Sequence, residues 1–242
     1  MKTIYTLLFF VLVLGLVACQ AEDDTSMKNT GYLSMDITTN NSTATKAGSE
    51  EVVYNPKQLA VQILNDQGGV VKETDDYTAW DGERFSLPTG KYVVKASSNG
   101  FDGKAAEFDK PYYVGSAEVE VMAGKDVTAE VICTLANVLV TVEFDELFKK
   151  SFKSATIVVA DQTGTRLTFE LGKNETAKAY FPVPEKSLII STSVTNQKGT
   201  LHSKKDTVRA VKARDNVRLM YKVADSPNGS TSIDITLDGT IK

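Results

Sequence analysis

The sequence predicts an all-β protein: two consecutive β-sandwiches behind a short N-terminal export segment. Three observations lead there. From Gly31 onward nearly every apolar segment alternates with a period of two, the spacing that sends successive side chains to opposite faces of a strand. Clusters of Asn, Asp, Gly and Pro interrupt these segments at short intervals, as the turns of a sandwich do. The one helical candidate is residues 146–152 (ELFKKSF), an amphipathic turn or two.

The elements run in chain order. Leu33, Met35 and Ile37 alternate with Ser34, Asp36 and Thr38. Residues 39–51 (TNNSTATKAGSEE) form a polar break. Residues 59–64 are a strand, and Asn65-Asp66-Gln67-Gly68-Gly69 turns it into residues 70–72. Phe85-Ser86-Leu87 leads into Pro88-Thr89-Gly90, a tight turn, because proline presets φ and glycine tolerates the positive region. Strands come next at 92–96, 117–121 and 127–131. The second half repeats the rhythm at 155–160, 166–171, 177–181, 188–194, 207–210 and 217–223, with turns at 161–164 and 196–199. Residues 199–205 read as a polar hairpin. Met122-Ala123-Gly124-Lys125-Asp126-Val127 resembles Lys212-Ala213-Arg214-Asp215-Asn216-Val217, a weak internal repeat before two β-branched strands. The expected organisation is a signal segment at 1–18, a tether at 19–30, a first sandwich at 31–135 and a second at 136–242. No flexible linker marks the join at 135–142, so a strand is expected to run from one unit into the next.

Length and charge narrow the function. The chain has 242 residues, 27 Lys+Arg, 31 Asp+Glu and a net charge of −4. No basic stripe occurs, so the electrostatic footprint of a nucleic-acid binder is missing. The two cysteines are Cys19 and Cys133, and the latter sits in an apolar strand as a buried thiol. No catalytic, cofactor-binding or metal site is expected. A single histidine, His202, builds no multi-histidine centre, and no nucleophile elbow, zinc helix or phosphate loop occurs. The acidic stretch 75–83 carries oxygen ligands but not the spacing of a calcium loop. Tyr77, Trp80, Tyr112 and Tyr113 are candidates for stacking on a sugar, and Trp80 is equally a candidate for anchoring the core of a small sandwich.

Residues 4–17 are apolar behind Met1-Lys2, too short for the roughly 20 residues of a spanning helix, and read as a cleaved signal. Leu16-Val17-Ala18-Cys19 resembles the lipobox of bacterial lipoproteins. That resemblance implies diacylation of Cys19 and an anchor on the outer membrane, each buried CH₂ adding about 0.8 kcal/mol. Gln20-Ala21-Glu22-Asp23-Asp24 is similar to the acidic export signal of Bacteroidetes-type surface lipoproteins; a solvated acidic tether is the plainer alternative.

The strongest constellation lies at the two ends. Leu33, Met35 and Ile37 share one face of the first strand, and Ile233, Ile235 and Leu237 share one face of the last. Two strands with one pattern fit one groove, as strand addition between subunits requires. The alternative is that each strand completes its own unit.

Residues 31–35 (GYLSM), the break at 45–47 (TKA), 87–96 (LPTGKYVVKA), 111–115 (PYYVG), 135–142 (LANVLVTV) and 211–215 (VKARD) resemble an uncharacterised Bacteroidetes lipoprotein family laid out like the fimbrillins. That resemblance implies two transthyretin-like, immunoglobulin-like sandwiches and no cofactor. It also implies proteolytic removal of the first strand and assembly by a donor strand. Carried onto this chain, Lys46 is the candidate cleavage site and Ile233, Ile235 and Leu237 the candidate donor. The implied partners are the outer membrane through lipid, copies of the chain or other pilus subunits, and a host or glycan surface. A second reading is a monomeric surface lipoprotein that binds glycan or serves a nutrient-uptake complex, with an exposed aromatic platform including Trp80 and Tyr113.

Overall fold

The computed structural model describes residues 29–40, 42–45, 48–51, 58–98, 100–101, 105–223 and 233–237, with backbone alone for 42–45, 48–51 and 233–237. The first half contains β1 (Thr30–Asn40), β2 (Ser42–Thr45), β3 (Gly48–Glu51), β4 (Ala60–Asn65) and β5 (Val70–Thr74). A 3-10 turn (Tyr77–Trp80) precedes β6 (Phe85–Pro88), β7 (Gly90–Ser97), β8 (Glu107–Phe108), β9 (Tyr113–Val121) and β10 (Asp126–Leu135). The second half contains β11 (Asn137–Phe144), the helix α1 (Glu146–Ser151), β12 (Phe152–Ala160), β13 (Arg166–Glu170) and β14 (Ala179–Pro182). It ends with β15 (Ser187–Asn196), β16 (Leu201–Arg209), β17 (Asn216–Val223) and β18 (Ile233–Leu237). The all-β expectation holds, and α1 falls on the one segment with helical patterning. Asp145 caps that helix by accepting from the Phe148 N–H at 2.6 Å.

The first-half strands form one sheet in the order β5-β4-β7-β9-β10-β1-β6. The β9–β10 ladder has just two pairs, Thr134↔Val114 and Leu135↔Tyr113. At this seam the sheet folds over, so β4, β7 and β9 share a single buried cluster with β1, β6 and β10. Gly115 permits the close crossing, since a Cβ there would lie 2.6 Å from the Ile132 carbonyl oxygen. The second-half strands, joined by β8 of the first half, form two sheets, β18-β17-β11-β14-β8 and β13-β12-β15-β16, whose inner faces enclose a second cluster.

The two halves share one connectivity. β1 lies between parallel β10 and antiparallel β6, and β11 lies between parallel β17 and antiparallel β14. β4 pairs with β5 and β7, as β12 pairs with β13 and β15. The weak repeat in the sequence marks equivalent turns. In one, Gly124 N–H donates to Thr30 O and Tyr32 N–H to Lys125 O; in the other, Arg214 N–H donates to Asn137 O and Leu139 N–H to Asp215 O. Gly124 (φ 65°) and Arg214 (φ 74°) hold the same left-handed position, so in the second turn a base stands where glycine would fit better.

Three hairpins use one device. Asn65, Asp161 and Asn196 each accept from the N–H two and four residues ahead, through the side-chain oxygen. Three residues after each stands a glycine at positive φ, Gly68, Gly164 or Gly199.

The halves are stitched together rather than tethered. One residue, Ala136, separates β10 from β11, and its N–H donates to Tyr112 O. Buried Asn137 accepts from the Tyr112 N–H at 2.5 Å. β8, from the first half of the sequence, pairs with β14 of the second-half sheet, Ala179↔Phe108 and Tyr180↔Glu107. Phe108 meets Phe169 edge-on at 5.1 Å between centroids. In return, Leu139 and Tyr180 belong to the first cluster.

Candidate functional site

The site is the first strand, its surroundings and the last strand. β1 is an interior strand, with a nine-pair parallel ladder to β10 (Tyr32↔Asp126 to Asn40↔Thr134) and a four-pair antiparallel ladder to β6. Alternation puts Leu33, Met35 and Ile37 into the core, at 0%, 8% and 5% exposure. Asp36 and Thr38 point outward. The buried phenol of Tyr77 donates to Met35 O at 2.9 Å, and the Ser34 and Thr128 hydroxyls meet at 3.0 Å.

The entry end of β1 is clamped. Gly31 packs against the 122–125 turn so tightly that a Cβ would sit 2.2 Å from Met122 O. Thr89 N–H donates to Asn29 O at 2.7 Å. The Arg84 guanidinium lies 3.4 Å over the Tyr32 ring and donates to Asp126 at 2.5 Å. That hydrogen bond raises the Arg84 pKa and holds the Asp126 carboxyl below its ordinary value. The groups are exposed, so the clamp contributes orientation more than stability.

The exit end leads to the candidate cleavage site. β2 and β3 pair antiparallel, ending at Thr45↔Gly48, and Lys46 and Ala47 are the two residues between them. Lys46 itself lies outside the described residues, as do Cys19 and the acidic run Gln20, Ala21, Glu22, Asp23 and Asp24. The polar composition of 39–51, read as a break, hides this short hairpin. At the other terminus, the backbone of Ile233, Ile235 and Leu237 lies opposite Val223, Tyr221 and Leu219 at the outer edge of β17.

The remaining candidates resolve into structural roles. Cys133 is fully buried, its Sγ 3.8 Å from Ala96 O, and burial pushes the thiol pKa up to about 12. Asp76 caps the 3-10 turn by accepting from the Thr78 N–H and hydroxyl, which lowers its pKa. His202 is exposed near the start of β16. The aromatic platform that a glycan binder would need is not formed by Trp80 and Tyr113. Tyr113 is fully buried, and Tyr77 is buried with its hydroxyl turned to β1. Trp80 is half-buried, packed edge-on against Phe85 at 4.8 Å. The reason is alternation: Tyr113 opens β9 on its inward phase. No helix among the described residues is long and apolar enough to cross a membrane.

Several solved structures are distantly similar to this chain. A candidate adhesin from Bacteroides ovatus has 12% identity and a TM-score of 0.46, covering 91% of this chain and 96% of that one. The fimbrial anchor protein Mfa2 from Porphyromonas gingivalis has 12% identity and a TM-score of 0.41, covering 87% and 100%. Candidate polysaccharide-binding proteins (DUF1812) from Bacteroides thetaiotaomicron have 10% identity and a TM-score of 0.46, covering 81% and 92%. No curated protein matches the chain. Residues 29–242, the span from the start of β1 through β18, match the family described as a domain of unknown function (DUF4493), and the chain belongs to that family.

Proposed function

We propose that this chain is a non-enzymatic outer-membrane lipoprotein, anchored through Cys19 and displayed on the cell surface, that serves as a fimbrillin-like pilus or adhesion subunit joined by strand addition. The observation that carries the reading is the position of β1. A strand between two partners, with three aliphatic side chains in the core, leaves a groove with a defined register if it departs. The segment just beyond it contains Lys46 between two paired strands, so a trypsin-like cut there separates β1 and β2 from all later elements. The same cut separates the lipid on Cys19 from the body, so a polymer built this way is held by its strand joints.

The vacated groove exposes an apolar row and unpaired backbone groups, which favours refilling by a strand of matching alternation. Ile233, Ile235 and Leu237 supply that alternation. Each such side chain contributes roughly 1.5–3 kcal/mol when fully buried.

The test is chain cut after Lys46 and concentrated. Ladders of oligomers that survive mild detergent are expected, and Ile235→Asp abolishes them while the monomer stays folded, because a charge in the groove lacks a partner. Cut chain that stays monomeric at high concentration overturns the reading. The anchor has its own test. Cys19→Ala loses a fatty-acid label on cells, and equal labelling of parent and mutant contradicts lipidation at that residue.

A further inference from the structure

The two ends of the first-half sheet, β5 and β6, approach each other, and among the described residues no ladder joins them. Lys72 of β5 lies 5.3 Å over the Phe85 ring of β6. The first unit therefore has a seam, with β4 and β5 on one lip and β1 and β6 on the other. β6 covers β1 only in part: its ladder stops at Leu33↔Phe85, whereas β1 runs on to Asn40.

Successive residues of a strand turn their backbone groups to opposite edges. Tyr32 N–H donates to Lys125 O on the β10 side, so Leu33, Met35 and Ile37 turn theirs toward the seam. Leu33 meets β6 there. At Met35 a side chain takes the place of a strand: the buried Tyr77 phenol donates to Met35 O at 2.9 Å. The same residue holds the other lip, because its N–H donates to Leu59 O, just before β4, at 2.8 Å. Trp80, the last residue of the 3-10 turn, rests edge-on against Phe85. One turn thus ties β4, β1 and β6 together across the seam. Asp76 fastens it from an exposed position, accepting from the Thr78 N–H at 2.9 Å and the Thr78 hydroxyl at 2.6 Å.

We infer that Tyr77 is the latch of β1: with its hydroxyl on Met35 O the strand is retained, and the 77–80 turn has to swing off the seam before the strand leaves. This rests on the reading of the chain as a subunit whose first strand departs, and it assigns control of that step to a residue outside both the strand and the cut. Tyr77→Phe keeps the ring in the core but leaves the Met35 carbonyl without its donor, so β1 loses its tie on the side that β6 does not reach.

The experiment uses chain cut after Lys46 and a fluorescent synthetic peptide of residues 29–46, whose uptake is followed by anisotropy. Tyr77→Phe is expected to take up the peptide about tenfold faster than the parent, the factor that one buried hydrogen bond carries. Asp76→Ala frees the turn from an exposed position and keeps the phenol; it moves the rate the same way and carries the test if Tyr77→Phe does not fold. Asn65→Ala is the control, because it weakens the hairpin at the opposite end of β4 and leaves the rate unchanged. Equal uptake by parent, Tyr77→Phe and Asp76→Ala overturns the inference, and so does equal acceleration by Asn65→Ala, which marks a loss of stability alone. No uptake by any version overturns it too. Oligomers judge the groove reading separately. Cut chain that polymerises while Tyr77→Phe and Asp76→Ala change nothing loses the latch alone, and faster uptake without oligomers keeps the latch and removes the strand joint.

Discussion

Gly31 shows how one residue fixes the first strand. Its missing side chain lets β1 slide beneath the 122–125 turn, whose Met122 carbonyl is itself held by the Lys125 N–H at 3.1 Å. The nearest atom is backbone rather than the end of a flexible side chain, so Gly31→Ala forces the chain to move. It is expected to destabilise the protein by about 1–3 kcal/mol, measured by urea unfolding. Tyr221 gives a pH signature. Its phenol bridges the two second-half sheets through the Thr192 hydroxyl at 2.7 Å, and burial pushes its pKa from 10.0 up to about 12. The folded state thus binds the proton more tightly than the unfolded one. The stabilisation is complete below pH 10 and is lost as pH rises through about 12. Thermal unfolding across that window should show a loss of order ~2 kcal/mol in the parent and a flatter profile in Tyr221→Phe. Cys133 should resist alkylation in folded chain at neutral pH and react at once in urea, because its thiol is buried and its pKa pushed up to about 12.

At the scale of elements, the hairpin device makes a comparative prediction. Asn65→Ala, Asp161→Ala and Asn196→Ala each remove an acceptor for two backbone N–H groups, and each should cost about 1 kcal/mol. Urea midpoints of the three variants check this. These turns are legible in the sequence because Asn or Asp with glycine three residues later is a local signal. β1, β7, β10 and β17 are legible for the same kind of reason, since each buries one face and so alternates. The elements that the sequence hides lack that asymmetry. β16 is exposed at almost every position, so residues 199–205 read as a polar hairpin. β8 is two residues long and pairs with a strand about seventy residues away, which no local pattern encodes. Tyr113 is ambiguous in the sequence because an aromatic at a strand's first position has no alternating neighbour before it to set its phase.

Across the whole molecule, the repeat in connectivity makes β1 and β11 equivalent, yet the two strands lead to different places. β11 runs directly into α1 and β12, whereas β1 runs into the β2–β3 pair and Lys46. Of these two equivalent strands, the first is therefore the one placed to be separated from its unit by a single cut. A cut does not by itself release it, because the β10 ladder, the β6 ladder, the clamp at Gly31 and three buried side chains remain. Departure is expected to require a replacement strand, which couples loss of the peptide to growth of the polymer. Native mass spectrometry of chain cut after Lys46, over rising concentration, tests this most directly. The account predicts that the N-terminal peptide stays bound in dilute monomer and disappears in step with the appearance of oligomers. A peptide that leaves without oligomers forming, or that stays on monomers at every concentration, would contradict it.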